Sequence, residues 1–267
     1  MKRIIRIFGV FLCLVVAISG NAFAADTIID TSTADEGYFT VCYDEIANVK
    51  MKVGVSYEGK TEFFDYTPET EATYSFNKGE GNYTISLYRN VRGTSYAKVT
   101  STRASVELDN GLAPYLTSTT EITFEEGDEV SNIAAQLCDG METDTDKIVA
   151  IHNYIAGNFE YDHSFAEAVK DGRIKNYTPD TAEILATQKG VCYDFSALFA
   201  AMCRSQGIAC AVSKGYVANG YHAWNMVWVD GEWIALDLTA SISRNLVWAD
   251  ELSDCTVSLS NYYNYTY

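Results

Sequence analysis

GVCYDFSALFAAMCRSQGIACAVSKGYVANGYHAWNMVWVDGEWIALDLT, residues 190–239, holds a helix, two hairpin turns and three side chains with catalytic chemistry. Val191, Phe195, Leu198, Phe199 and Met202 follow helical apolar spacing, which predicts an amphipathic helix over 192–206. Gly190 precedes it, and Gly207 stands where a left-handed C-terminal cap is expected. Cys192 therefore falls in the first turn. There, unpaired backbone N–H groups and the helix dipole favour negative charge on the sulfur, and the same groups can stabilise an oxyanion.

Beyond the helix, Asn219-Gly220 and Asp230-Gly231 are the dipeptides of tight hairpin turns. They divide the region into three antiparallel strands at about 211–218, 221–229 and 232–238. With Asp230-Gly231 as the turn, Val229 pairs with Glu232, Trp224 with Asp237, and His222 with Thr239. His222 and Asp237 then lie diagonally on one face, within hydrogen-bonding reach. Trp224, Met226, Trp228 and Trp233 share that face, which is expected to pack on the Cys192 helix. Val227, Val229, Ile234, Leu236 and Leu238 make the other face apolar too, so cover is expected on both sides. Nucleophile, base and orienting acid then follow in chain order: Cys192, His222, Asp237.

G-V-C-Y-D-F at 190–195, R-S-Q-G-I at 204–208, H-A-W at 222–224 and G-E-W-I-A-L-D-L-T at 231–239 resemble the core of the transglutaminase-like superfamily. The resemblance covers about residues 115–240. It implies a papain-like α+β fold and acyl transfer through a thioester, with Cys192 as nucleophile, His222 as base and Asp237 as third member. Bacterial relatives of this kind include proteases, other amide hydrolases and cross-linking enzymes. No calcium-loop pattern occurs, so neither a metal nor another cofactor is expected. The expected activity is that of an exported thiol-dependent amide hydrolase or acyltransferase working through a Cys192 thioester. Its substrates would be peptides, proteins or cell-wall peptides. The alternative from another class is an inactive transglutaminase-like scaffold that binds at a surface.

Lys2, Arg3 and Arg6 precede an apolar run from Ile4 to about Ile18, and Ala22-Phe23-Ala24 has the small-x-small pattern of a cleavage site. Residues 1–24 are thus expected to be a Sec-type signal peptide of a bacterial exported protein, secreted, periplasmic or at the cell surface. No second run is long enough to span a bilayer, so no membrane span is expected in the mature form. The formal charge of −17 becomes about −20 without that leader, which argues against nucleic-acid binding through phosphates. Such acidity suits either cationic substrates or plain solubility. Six cysteines remain, none in C-x-x-C spacing, and Cys203 and Cys210 read as buried apolar fillers.

Upstream, two-residue alternation marks strands at 39–43, 49–57, 63–66, 83–87, 95–100 and 104–108. They predict a small all-β sandwich-like domain over 25–113. Asp109-Asn110-Gly111 and Pro114 mark its end, and the catalytic α+β domain is expected over 114–267. Within it, Ile122 and Phe124 read as a short strand, 130–137 as a short helix, and 143–146 as the cap of a longer one. His152 lies on that helix's apolar stripe, as a packed core residue. Tyr161 follows the helix and, from the resemblance, is a candidate oxyanion or substrate contact. His163 reads as solvated, and polar residues 164–180, with Gly172 and Pro179, as a mobile lid. Asp194 is expected to bond first-turn N–H groups. Val257, Leu259 and the terminal tyrosines predict a last edge strand.

Overall fold

Alternating apolar residues set the first seven strands of the computed structural model, which describes residues 27–44, 49–175, 177–244, 246 and 248–266. These strands are β1 (Ile29–Asp30), β2 (Tyr38–Cys42), β3 (Met51–Tyr57), β4 (Lys60–Tyr66), β5 (Glu71–Ser75), β6 (Gly81–Arg92) and β7 (Ser95–Val106). One antiparallel sheet runs β1-β2-β5 and the other β4-β3-β6-β7. Phe39 and Val41 of the first share a core with Val53, Ile85 and Leu87 of the second. Two sheets facing one apolar layer make a sandwich. The runs expected at 95–100 and 104–108 are one strand, β7, and its ladder with β6 shifts register after Leu87. The gap in alternation between them marks an exposed edge, not a turn.

The second half is built on α1 (Glu129–Leu137), α2 (Asp144–Asn158), β8 (Glu160–Tyr161), α3 (His163–Lys170), α4 (Thr181–Thr187), β9 (Lys189–Gly190) and α5 (Cys192–Ser205). It continues with β10 (Cys210–Val217), β11 (Gly220–Val229), β12 (Glu232–Leu236), α6 (Leu238–Ser243), α7 (Leu252–Cys255) and β13 (Tyr263–Thr266). Thr143 caps α2 by accepting the Asp146 N–H at 3.1 Å, as its sequence predicts. The expected strand at Ile122 and Phe124 is only an isolated bridge between Thr119 and Ile122. The fold is therefore α+β, with an all-β region preceding a helix-on-sheet core.

The sheet of the second half runs β12-β11-β10-β13, so the last described strand does close an edge. Val229 faces Glu232 and Asn225 faces Leu236, which is the register the Asp230-Gly231 turn predicts. The ladder stops there, and the His222–Thr239 pair does not form. Asp237 caps α6 instead, its Oδ1 accepting the Ala240 N–H at 3.1 Å. A strong N-cap residue overrides continuation of the strand.

Two further expectations are corrected. Helix α5 is not amphipathic in its burial: every residue from Asp194 to Arg204 is buried. Such a helix lies inside the core, and Ala197, Ala200 and Ala201 keep its second side slim. It also covers the face of the sheet opposite to the one expected. Val227, Val229 and Leu236 pack with Phe195, Leu198 and Phe199 of α5. Trp224 and Met226 pack instead with Tyr115, Val257, Leu259 and Tyr262. The aromatic face is thus covered by the C-terminal segment, a long-range contact that periodicity does not report.

The expected leader, residues 1–24, lies outside the described residues. Among those described, no helix is long and apolar enough to cross a membrane. All six described cysteines are free thiols, and Cys203 and Cys210 are buried.

Candidate active site

Cys192 opens α5 with its thiol partly exposed. The turn before it is held from the helix side. Asp194 Oδ2 accepts the Val191 N–H at 2.8 Å, and the Tyr177 hydroxyl donates to Asp194 Oδ1. Burial raises the Asp194 carboxyl above its ordinary range, against the lowering effect of these two donors. A side chain at position 190 would collide with this arrangement. A Cβ there would sit 2.6 Å from Asp194 Cβ and 2.9 Å from its Oδ2, so Gly190 is required for close approach.

Tyr177 belongs to the stretch expected to be a mobile lid. That stretch contains α3, and Tyr177 packs edge-on against Phe165 of the helix at 4.8 Å as well as anchoring on Asp194. The polar residues 164–170, which read as a loop, are part of that short helix, whereas the described residues from 171 to 180 are loop as expected.

Parallel pairing of β8 with β9 sets Tyr161 beside Gly190, one residue before the turn into α5. Burial, and then the charges of Cys192 and Asp194, push the Tyr161 hydroxyl up, which keeps it a neutral donor. His163 is exposed but lines the same cleft, its ring 5.0 Å from that of Tyr161. His152 is a buried core histidine. Its Nε2 lies 2.9 Å from Ser241 Oγ on α6, and burial lowers its pKa.

On β11, His222 Nε2 lies 2.8 Å from Asp237 Oδ2. The same oxygen accepts the Tyr262 hydroxyl at 2.7 Å. Burial by itself would raise the Asp237 carboxyl. The hydrogen bond and charge of His222, then the bonds from Tyr262 and Ala240, hold it below the ordinary range. Burial likewise opposes charge on His222, but hydrogen bonds to Asp237 and Cys192 and the charges of both raise it to about 10. At neutral pH this is an imidazolium on a carboxylate. With Nε2 committed to Asp237, Nδ1 is the nitrogen left for the Cys192 sulfur. Cys192, His222, Asp237, Tyr161 and Tyr262 all line one cleft of about 680 Å³.

Tyr262 is the member that sequence reasoning missed. It lies 25 residues beyond Asp237, and its only signal was a tyrosine-rich terminus. Among the described residues, no three His, Cys, Asp or Glu side chains come together as a metal site.

Residues 131–238 match the family model of the transglutaminase-like superfamily, so this segment is a transglutaminase-like domain. Kyphoscoliosis peptidase of Mus musculus is 30% identical over 171 residues, covering 59% of this chain and 24% of that protein. The match thus spans about a quarter of the length of that relative. A solved structure from Cytophaga hutchinsonii, provisionally assigned to the cysteine proteases, is 18% identical. It covers 86% of this chain and 81% of that one, with a TM-score of 0.42. Red sea bream transglutaminase is 11% identical, over 76% of this chain and 48% of that one, with a TM-score of 0.35.

Proposed function

We propose that this transglutaminase-like domain is a working thiol enzyme that cleaves amides through an acyl thioester on Cys192. The observation that carries the reading is the 2.8 Å His222–Asp237 hydrogen bond in the cleft that Cys192 also lines. With His222 raised to about 10, the resting proton sits on the imidazole, and the positive ring favours a thiolate beside it. The sulfur attacks the amide carbonyl. The oxyanion that forms is met by first-turn N–H groups of α5, which no helix carbonyl satisfies, and by the Tyr161 hydroxyl. His222 gives its proton to the departing nitrogen, leaving a thioester and a free amine. Water then attacks the thioester as His222 takes a proton from it. The acid leaves, and the thiolate–imidazolium pair is restored. Asp237 holds the ring throughout, and Tyr262 holds Asp237.

The relative's name, a peptidase, supports peptide amides as the substrate class. Hydrolysis is favoured over transfer to a second amine because the cleft is open to water and its lining includes Thr239, Ser243 and Ser258, not a dry tunnel. The leader expected from residues 1–24 would place this action outside the cytoplasm. The test is intact-mass spectrometry of the protein quenched in acid with a library of peptide amides. An acyl adduct on Cys192 that is absent in Cys192→Ala supports the reading. Turnover by Cys192→Ala within tenfold of the wild type would overturn it in favour of another mechanism, and no adduct with any amide would favour a binding role.

A further inference from the structure

The chain carries 36 acidic residues against 19 lysines and arginines, yet carboxylates are scarce in the cleft around Cys192. Asp237 is the one carboxylate among its described lining residues, and three donors already hold it. The His222 imidazolium is matched by the Cys192 thiolate it faces, which leaves the guanidinium of Arg244 as the positive group of the lining outside the Cys192–His222–Asp237 set. The neutral lining consists of amides and hydroxyls such as Asn219, Asn261, Thr239 and Ser258, which suit a peptide backbone.

Arg244 is placed by the same helix that begins at Asp237. Asp237 caps the N-terminus of α6 and Arg244 its C-terminus, so seven steps of helical rise set them about 10 Å apart along its axis. The Arg244 side chain is exposed, and among the described residues it has no ion-pair partner. Its charge is nevertheless felt inside the site, where it lowers the Tyr262 hydroxyl against the raising effects of burial and Asp237. A guanidinium that lines the same cleft as the nucleophile, with no ion-pair partner among the described residues, can take a carboxylate through two parallel hydrogen bonds.

We propose that Arg244 forms a carboxylate subsite of this cleft, so that the enzyme selects peptide amides bearing a carboxylate close to the scissile bond. This rests on the thiol acyl-transfer reading and names the substrate class for the same site. It runs opposite to cationic substrates, one of the two readings that the overall acidity suits.

The test uses two probes of nearly equal size, iodoacetate and iodoacetamide, with Cys192 alkylation followed by peptide mass spectrometry. The ratio of the two rates cancels any general change in thiol reactivity. In Arg244→Gln the iodoacetate-to-iodoacetamide ratio is expected to fall about three- to tenfold, as for loss of a unit charge from the wall of a partly solvated cleft. In Arg244→Glu it falls further. A ratio within twofold of the wild type in both variants would overturn the subsite. Protection of Cys192 by short peptide amides then locates the carboxylate. A glutamate side chain, or a free C-terminus on an otherwise neutral peptide, should protect in the wild type and lose its advantage in Arg244→Gln. Equal protection by the neutral amidated peptide would also overturn the proposal. Failure of the parent reading looks different: His222→Ala would then alkylate as fast as the wild type with both reagents.

Discussion

Tyr262→Phe removes one oxygen atom and leaves the ring that packs on Trp224 at 4.7 Å. The lost group donates to Asp237 Oδ2 at 2.7 Å, on the oxygen that also receives His222 Nε2 at 2.8 Å. A hydrogen bond to a charged acceptor is worth about 1.5–3 kcal/mol net. Asp237 keeps His222 and the Ala240 N–H, so the lower end applies, about 1.5 kcal/mol, or roughly one pH unit at about 1.4 kcal/mol per unit. The sign follows from the depressed carboxyl. Its stabilisation is present above the ordinary carboxylate range and lost as pH falls through the folded value. Without the hydroxyl that value rises, so the His222–Asp237 bond breaks at higher pH on acidification. The chain has three histidines, so ¹⁵N-histidine labelling resolves the rings, and His222→Ala assigns the signal. In the wild type the His222 Nε2 proton should be visible at neutral pH and lost only in acid. In Tyr262→Phe it should exchange with water at least about tenfold faster, and the acid midpoint should rise by about one unit. Identical exchange and midpoint in the two proteins would refute this role for Tyr262.

Two other outcomes follow from the same geometry. Gly190→Ala forces a methyl to 2.6 Å from Asp194 Cβ, so unfolding in urea should show a loss of about 1–3 kcal/mol together with slower Cys192 alkylation. Unchanged stability would mean that the turn can open without cost. His222, raised from 6.5 to about 10, contributes stability that is complete below about 6.5 and lost as pH climbs through about 10. That rise is worth at most about 5 kcal/mol, so the stability gap between wild type and His222→Ala should narrow by a few kcal/mol from pH 6 to pH 10. A constant gap would remove the charged pair from the account.

Much of this site was legible because its determinants are local. The Asp230-Gly231 turn fixes the register that brings His222 toward Asp237, and the apolar spacing after Gly190 starts a helix at Cys192. The first hairpin differs from the expected Asn219-Gly220 turn: Val217 faces Gly220, so the loop is Ala218-Asn219 and the glycine already belongs to the strand. Thr143 is read as a cap from its acidic neighbours and is one. What stayed hidden is carried by contacts distant in sequence. The aromatic face of the sheet was assigned to α5, whereas Tyr115 and residues 257–262 cover it. Both faces are equally apolar, so periodicity alone cannot choose between them. Tyr262 on Asp237 and Tyr177 on Asp194 are tyrosines with no distinguishing spacing, each finding a carboxylate only in the folded chain. Helix α6 was hidden for a different reason: Asp237 reads equally well as the end of a strand or as a helix cap.

The central claim is that His222 activates Cys192, and the rate of iodoacetamide reaction at Cys192 near pH 6 tests it most directly. Peptide mass spectrometry separates this thiol from the exposed Cys42. An ordinary cysteine, with a pKa of about 8.5, is less than about 1% thiolate at that pH. The account predicts wild-type Cys192 reacting at least about tenfold faster than the same residue in His222→Ala. Equal rates in the two proteins would contradict it.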